Sequence, residues 1–157
     1  MPIGIRYHGS SSGDTAGIKL IDVSDPQNPF LFINYRGGGK PSNLFVQNKT
    51  VFSADYDFGF EILNVSDLPN VHLLSKSERT SGFFGVYVEN HYAYFTANSI
   101  IEKGLHIYDV KNISNPTLVN IFPMEGNPCD LQVIDSIAYI ADYEAGLFMI
   151  NVSDPNF

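Results

Sequence analysis

The sequence predicts an all-β fold built from repeated units, and three observations support that prediction. A short phrase recurs four times in the 157 residues, at glycines spaced by 42, 45 and 42 positions. Apolar and polar side chains tend to alternate within the copies, which is the period of a β-strand. No helical period of useful length occurs along the chain. The four glycines are Gly17, Gly59, Gly104 and Gly146.

The repeated phrase is a strand that closes on a valine. The first copy reads GIKLIDV and the last reads GLFMINV. The fourth residue of each copy is large and apolar, and the seventh is valine in all four. We expect both columns to be buried. The apolar column consists of Leu20, Ile62, Ile107 and Met149, and the valine column consists of Val23, Val65, Val110 and Val152.

Three further strands accompany the phrase. The segments on either side of it are rich in aromatic and β-branched residues, which favour strands. Another apolar segment precedes the upstream strand, as in NLFVQN, GVYVEN and CDLQVID. Four short strands in about 42 residues are typical of one blade of a β-propeller. The upstream strands are Thr50–Tyr56, Tyr92–Asn98 and Ile137–Tyr143, and the downstream strands are Pro29–Tyr35, Val71–Lys76 and Pro116–Phe122.

The two end units lack strands. IGIRY supplies the second strand of the first unit, and the last unit stops after its third strand. An open segment of this kind exposes edge strands and apolar faces. We therefore expect either pairing with a second copy, giving a ring of about seven or eight blades, or membership of a longer chain. The units are placed near residues 1–36, 37–80, 81–123 and 124–157.

The turn after the phrase explains several polar residues that recur in the copies. In DVSDP, the side chains of Asp22, Ser24 and Asp25 accept hydrogen bonds from nearby backbone N–H groups, and Pro26 fixes φ for the turn. A metal site is the alternative, because the same side chains offer three oxygens. Asn64 and Asn151 replace the aspartate in two copies, which keeps the turn chemistry but lowers the ligand charge, so the structural role is favoured.

These segments resemble the LVIVD repeat, a β-propeller family. The resemblance rests on GIKLIDVSDPQNP, GLFMINVSDP and IAYIADYEAGL, and it runs from about Gly17 to Pro155. The third copy departs from the pattern, with DVKNISNP in its turn and a longer NSIIEKG loop. The resemblance implies a propeller fold and a location at the cell surface or outside the cell. It implies no catalytic residues.

The charge and composition of the chain exclude several classes of binding partner. The net charge is −8 and the pI is about 4.7, so nucleic acid and anionic membranes are repelled. The single Cys129 excludes an internal disulfide. No apolar stretch is long enough to cross a membrane, and MPIGIRYHG lacks the features of a signal peptide. A protein, or a second copy of this chain, is the expected partner.

The candidate ligand face lies where the second strand of each unit ends. Asp55 and Tyr56 occupy this place in the second unit, and Asp142 and Tyr143 occupy it in the fourth, with Asn98 between them in chain order. A ring of Asp55, Asn98 and Asp142 would bind a polar ligand or a cation. The alternative, which we favour, is a hydrogen-bonded turn that every unit needs.

Other motifs carry weaker signals. YRGGGKPS places Pro41 where a phosphate-binding loop needs serine or threonine, and a strand rather than a helix follows. The histidines at positions 8, 72, 91 and 106 have no zinc-ligand spacing. Cys129 fits a small buried apolar residue better than a nucleophile. We therefore expect no metal, cofactor or catalytic residues.

The sequence favours a non-enzymatic binding or display module outside the cell. Its affinity would come from loops on a rigid face. One alternative is an enzyme, or part of one, with a polar site at the central channel. A second alternative is a glycan-binding propeller, in which Tyr56 and Tyr143 would replace the absent tryptophan as stacking platforms.

Overall fold

The computed structural model describes residues 3–8, 17–77 and 82–156, with only the backbone of 3–8. Within these residues all regular structure is β, so there is no helix that could span a membrane. The strands are β1 (Ile3–His8), β2 (Gly17–Asp22), β3 (Phe30–Tyr35), β4 (Pro41–Gln47), β5 (Thr50–Asp55), β6 (Gly59–Asp67), β7 (Asn70–Lys76), β8 (Phe83–Glu89), β9 (Tyr92–Ala97), β10 (Gly104–Asp109), β11 (Thr117–Pro123), β12 (Pro128–Ile134), β13 (Ile137–Asp142) and β14 (Gly146–Asn151).

Consecutive strands pair antiparallel, and within the described residues they form four sheets. The first sheet holds β1 to β3, the second β4 to β7, the third β8 to β11 and the fourth β12 to β14. Each is a simple meander, in which every strand pairs with its neighbours in the chain. The predicted strand from IGIRY is confirmed, because β1 pairs with β2 from Ile3 opposite Asp22 to His8 opposite Gly17.

The same tight turn joins the first two strands of the second, third and fourth sheets. Both residues of each turn have positive φ, between 48° and 62°. A two-residue hairpin turn of this hand matches the right-handed twist of the strands that it joins. The pairs are Asn48 and Lys49, Asn90 and His91, and Asp135 and Ser136.

The repeated glycine is explained by its backbone. Gly104 opens β10 with φ of +147°, and Gly17 opens β2 with φ of +121°. An added Cβ would overlap the carbonyl oxygen of Phe122 at the first position and that of Tyr35 at the second. At these two positions glycine is required because a side chain would clash with the adjacent strand. Gly146 has open space around it, so there only its φ of +87° favours glycine.

The sheets pack in chain order through their innermost strands. β1 packs on β4, β4 on β8, and β8 on β12. We call the face of a sheet that is turned toward the preceding sheet its near face, and the opposite face its far face. Three apolar clusters fill the spaces between successive sheets, centred on Leu20 with Leu63, on Phe60 with Phe95, and on Ile107 with Ile140.

The cluster between the second and third sheets is aromatic. The ring centroids of Phe60 and Phe95 lie 5.1 Å apart in a stacked arrangement, and those of Phe83 and Phe95 lie 5.0 Å apart. Tyr108 meets Phe60 edge-on at 5.0 Å. Such pairs add stabilisation beyond the apolar area that they bury.

The valine column is buried in three of its four copies. Val65, Val110 and Val152 are buried, and each donates its N–H to a carbonyl oxygen of the neighbouring hairpin turn, at 2.8 to 2.9 Å. Val23 was also predicted to be buried, but it is only half-buried. The innermost strand of its sheet is β1, so the described residues place no such turn beside it.

The apolar column contains one error of prediction. Leu20, Ile62 and Ile107 are at most 1% exposed, as predicted, whereas Met149 is 66% exposed. All four side chains lie on the far face of their sheet. A following sheet covers the first three, and within the described residues no sheet covers the far face of the fourth.

The turns after the phrase have the local hydrogen bonds predicted for their aspartate and asparagine side chains. The side-chain oxygens of Asp22, Asn64, Asp109 and Asn151 each accept the N–H two residues ahead, at 2.7 to 2.9 Å. The hydrogen bonds from Ser24 lower the pKa of Asp22. Asparagine serves as well as aspartate because the bond needs only one acceptor oxygen.

Candidate functional site

The candidate site is built on three hairpin loops. Residues 56–58, 98–103 and 143–145 join the second and third strands of the second, third and fourth sheets. The first residue of each loop donates its N–H to the linker that enters the same sheet. The bonds run from Tyr56 to Lys40, from Asn98 to Gly82 and from Tyr143 to Asn127, at 3.0, 3.3 and 3.0 Å.

Contacts between loops and linkers place all three loops at one end of the molecule. The ring of Tyr56 meets Phe84, at the start of the third sheet, edge-on with centroids 5.5 Å apart. The Nζ atom of Lys103 donates to Oδ1 of Asn127 at 3.1 Å. The loop of residues 56–58 therefore contacts the start of the third sheet, and the loop of residues 98–103 contacts the linker that enters the fourth sheet. We call this end the loop face.

Asp55 organises the loop of residues 56–58 in the same way as Asp142 organises the loop of residues 143–145. Oδ1 of Asp55 accepts the N–H groups of Asp57 and Phe58 at 2.8 and 3.2 Å. Oδ1 of Asp142 accepts the N–H groups two and three residues ahead, at 3.0 and 2.9 Å. Each acid therefore closes its own loop, as the alternative turn interpretation predicted.

Both carboxylates lie beneath the linkers rather than on the surface. Asp55 is 1% exposed and Asp142 is 6% exposed. Their second oxygens are buried without a well-formed hydrogen bond among the described residues. An added Cβ at Gly39 would overlap the carboxylate of Asp55, and one at Gly126 would overlap that of Asp142. Glycine is needed in each linker so that the chain can cross the acid closely.

Opposing effects set the pKa of Asp142. Burial raises this pKa. The backbone N–H groups of Asn127, Ala145 and Glu144, together with the positive charge of Lys103, lower it by a larger amount. The net result is a pKa below the ordinary aspartate value. The folded protein thus holds Asp142 in its charged form.

Asn98 occupies a different column from the two acids. Asp55 pairs with Gly59 and Asp142 with Gly146, and the equivalent partner of Gly104 is Ala97. Asn98 instead matches Tyr56 and Tyr143, because all three donate their N–H to a linker. The predicted ring therefore combines residues from two columns. The described residues contain no group of three or more histidine, cysteine, aspartate or glutamate side chains that could hold a metal.

The exposed side chains of the loop face are mainly apolar. Tyr56 is 53% exposed and Tyr143 is 86% exposed, and Ile101 is 82% exposed beside a fully exposed Ile100. The sequence analysis missed the two isoleucines. A signal was present, because they lie in the lengthened NSIIEKG loop.

The loop of residues 98–103 is stabilised by hydrogen bonds of its own, although Ala97 replaces the aspartate that precedes the other two loops. The N–H of Glu102 donates to Oγ of Ser99 at 3.2 Å, and the carbonyl oxygen of Glu102 lies 2.7 Å from Nε2 of His106. His106 is completely buried. This histidine therefore has a structural role in the loop. His72 lies in the outer strand β7 and His91 in the hairpin turn between β8 and β9, and the side chain of His8 is outside the described residues.

Lys40 holds Tyr56 in place. Its Nζ atom lies 3.1 Å from Oδ1 of Asp57 and 5.7 Å from the centre of the Tyr56 ring. The lysine that suggested a phosphate-binding loop is thus paired with a carboxylate. The contact over the ring face adds a modest cation–π attraction.

Glu61 supports the linker between the first and second sheets. It is buried, and Oε1 lies 3.4 Å from Nζ of Lys76, which in turn lies 3.3 Å from the centre of the Phe58 ring. Burial is the main cause that raises the pKa of Glu61; nearby Asp55 raises it further, and Lys76 opposes both. An added Cβ at Gly37 would overlap this carboxylate.

Polar residues on the innermost strands bond to each other. Nδ2 of Asn43 in β4 donates to Oδ1 of Asp130 in β12 at 2.8 Å. Between them, Gly85 of β8 leaves room, because an added Cβ would lie 2.8 Å from the Cα of Asp130. Oγ of Ser42 lies 2.6 Å from the carbonyl oxygen of Phe83. These groups join the second, third and fourth sheets.

Meandering antiparallel sheets that pack in chain order, with their loops gathered at one end, define a β-sheet repeat protein. The LVIVD repeat, a β-propeller repeat, matches residues 13–36, 85–123 and 125–156, which is more than half of the chain, and the chain belongs to this family. No curated protein matches it.

The match omits residues 37–84, which we expected it to include, although they contain the whole second sheet, β4 to β7, with the usual strand order. The turn between the third and fourth strands differs there. β6 continues to Asp67, which pairs with Asn70 across the two-residue turn of Leu68 and Pro69. The third copy is matched despite its different turn.

Proposed function

We propose that this protein is a non-enzymatic β-propeller scaffold whose four sheets are successive blades, and that it binds a protein partner at the loop face. One observation carries the proposal. Three successive loops present strongly exposed aromatic or aliphatic side chains, at Tyr56, Ile100, Ile101 and Tyr143.

The loop backbone under these side chains is fixed. Asp55 and Asp142 hold two of the loops through hydrogen bonds to backbone N–H groups, and the carbonyl of Glu102 in the third contacts His106. A fixed loop loses little conformational freedom on binding, which favours affinity. Exposed apolar groups rimmed by polar residues are typical of protein interfaces, and tyrosine is enriched there.

Charge indicates the kind of protein that would bind. The chain carries a net charge of −8, the exposed Glu144 adjoins Tyr143, and Lys40 on the loop face is already paired with Asp57. A partner with an apolar centre and a basic rim would be attracted over distance and would complement this surface. The buried acids do not offer a polar ligand the same access, which supports protein binding over the glycan and enzyme alternatives.

Site-specific photocrosslinking tests the proposal. We expect a benzophenone amino acid at Tyr56 or Tyr143 to crosslink one distinct protein in the native host. Leu73 is the matched control, because it is apolar and 50% exposed but lies on the outer strand β7.

The partner identified in this way would then be purified and its Kd measured. Ile100→Asp should raise that Kd at least about tenfold, since it places a charge in an apolar contact. Equal crosslinking from Leu73 and the loop positions, or an unchanged Kd, would contradict binding at the loop face.

A further inference from the structure

Within the part of the chain that the structure describes, nothing covers the far face of the fourth sheet, an apolar surface separate from the loop face. The strand register places Tyr139, Ala141, Leu147 and Met149 on it. Leu147 is 63% exposed and Met149 is 66% exposed, and Ile134 of β12 is 52% exposed on the same side. Exposed apolar side chains grouped on one sheet face are typical of an interaction surface.

The other sheets show what covers this position. Ile18, Phe60 and Leu105 correspond to Leu147, and each is at most 3% exposed. In each case the far face packs against the near face of the following sheet. The chain therefore contains three instances of a sheet-to-sheet contact that the described residues do not provide for the fourth sheet.

The near face of the first sheet is the matching surface. Leu63, Tyr108 and Ile150 are the near-face residues of the later sheets, and each is at most 8% exposed against the sheet before it. Ile21 holds the same position in the first sheet, where it is only half-buried. Lys19 lies beside it on that face.

We propose that the far face of the fourth sheet binds the near face of the first sheet in a second copy of this chain. The contact is head-to-tail, so two such contacts related by a two-fold axis use the far face of the fourth sheet and the near face of the first sheet in both copies, and they produce a closed dimer. Within one copy the two faces do not cover each other, because Met149 remains exposed.

Paired charge substitutions test the dimer by light scattering and sedimentation on the whole 157-residue chain. Met149→Asp disables the far face, and Ile21→Asp disables the near face. We expect the wild type to be a dimer and each variant alone to be a monomer, with Kd raised at least about tenfold.

Mixing the two variants gives the decisive result. One junction between them retains both wild-type faces, so the mixture should recover a dimer that neither variant forms alone. Ile100→Asp is the matched control, because Ile100 is fully exposed on the loop face, and this variant should remain dimeric. It also separates the dimer from the proposed protein partner, whose binding it should weaken.

Several results would overturn the proposal. A monomeric wild type at the highest soluble concentration would exclude the contact, and a series of larger species would exclude the closed two-copy form. If Met149→Asp abolishes the dimer but Ile21→Asp leaves it intact, the far faces of the two copies contact each other instead. Because Ile21 is half-buried, circular dichroism checks its folding, and Lys19→Glu serves as the second near-face variant.

Discussion

Strands β10 and β14 have the same register and the same glycine, yet their environments differ. Ile107 of β10 is completely buried, whereas Met149, the matching residue of β14, is 66% exposed. Leu105 and Leu147 differ in the same way. The comparison shows that the repeat determines which way a side chain points, while burial depends on the neighbouring sheet. The orientation of a side-chain column can be predicted from one repeat unit, but the column stabilises the fold only where the neighbouring sheet covers it.

The largest expected effect in this comparison is at Ile107. We expect Ile107→Ala to lower the free energy of unfolding by about 2–5 kcal/mol, because it removes buried methyl groups and leaves a cavity between the third and fourth sheets. Urea denaturation measures the loss. A loss below about 0.5 kcal/mol, the range of surface substitutions, would show that this face is not packed.

Asp142 provides the next largest effect, in the sheet that has one uncovered face. We expect Asp142→Ala to lower the free energy of unfolding by about 1–3 kcal/mol, since it leaves the N–H groups of Glu144 and Ala145 without their acceptor. Glu144→Ala is the matched control, because that side chain is exposed in the same loop, and it should have little effect.

The pH dependence of Asp142→Ala is a second measurement on the same variant. The folded pKa of Asp142 is lowered, so its contribution to stability is present above the unfolded value of about 3.9 and disappears as the pH falls through the folded value. The difference between wild type and variant should therefore shrink in acid. A difference that grows as the pH falls would contradict the lowered pKa.

Local chemistry made much of the fold predictable. The glycine, the alternating strand and the turn acids each depend on neighbours within a few residues, so Asp22 and Asn64 could be assigned from the sequence. The candidate site was predictable in part, because the turn role of Asp55 follows from the same chemistry. Its burial beneath Gly39 depends on a linker that precedes it by 16 residues.

Two of the errors come from contacts beyond one unit. Within the described residues, no hairpin turn lies beside Val23 as one does beside the other valines, and no following sheet covers Met149. Asn98 is a different kind of error, because the aligned strands Thr50–Tyr56, Tyr92–Asn98 and Ile137–Tyr143 already place it beside the two tyrosines, in agreement with the register of Ala97 opposite Gly104. Sequence alternation cannot reveal the first two errors, since it reports orientation along a single strand.

The smallest expected effect is at Met149, and it is the most direct test of the comparison. Met149→Ala makes nearly the same chemical change as Ile107→Ala at the equivalent position. At low protein concentration we expect it to change the free energy of unfolding by less than about 0.5 kcal/mol, because the side chain is already exposed to water.

The same variant should behave differently when the protein is concentrated. If a second copy covers the far face, association stabilises the folded wild type by mass action, and Met149→Ala loses part of that stabilisation. The loss should then increase with protein concentration, while the loss for Ile107→Ala should change much less. Thermal unfolding over a concentration series measures both. A large loss at Met149 that is independent of concentration would mean that this chain itself covers the far face in solution.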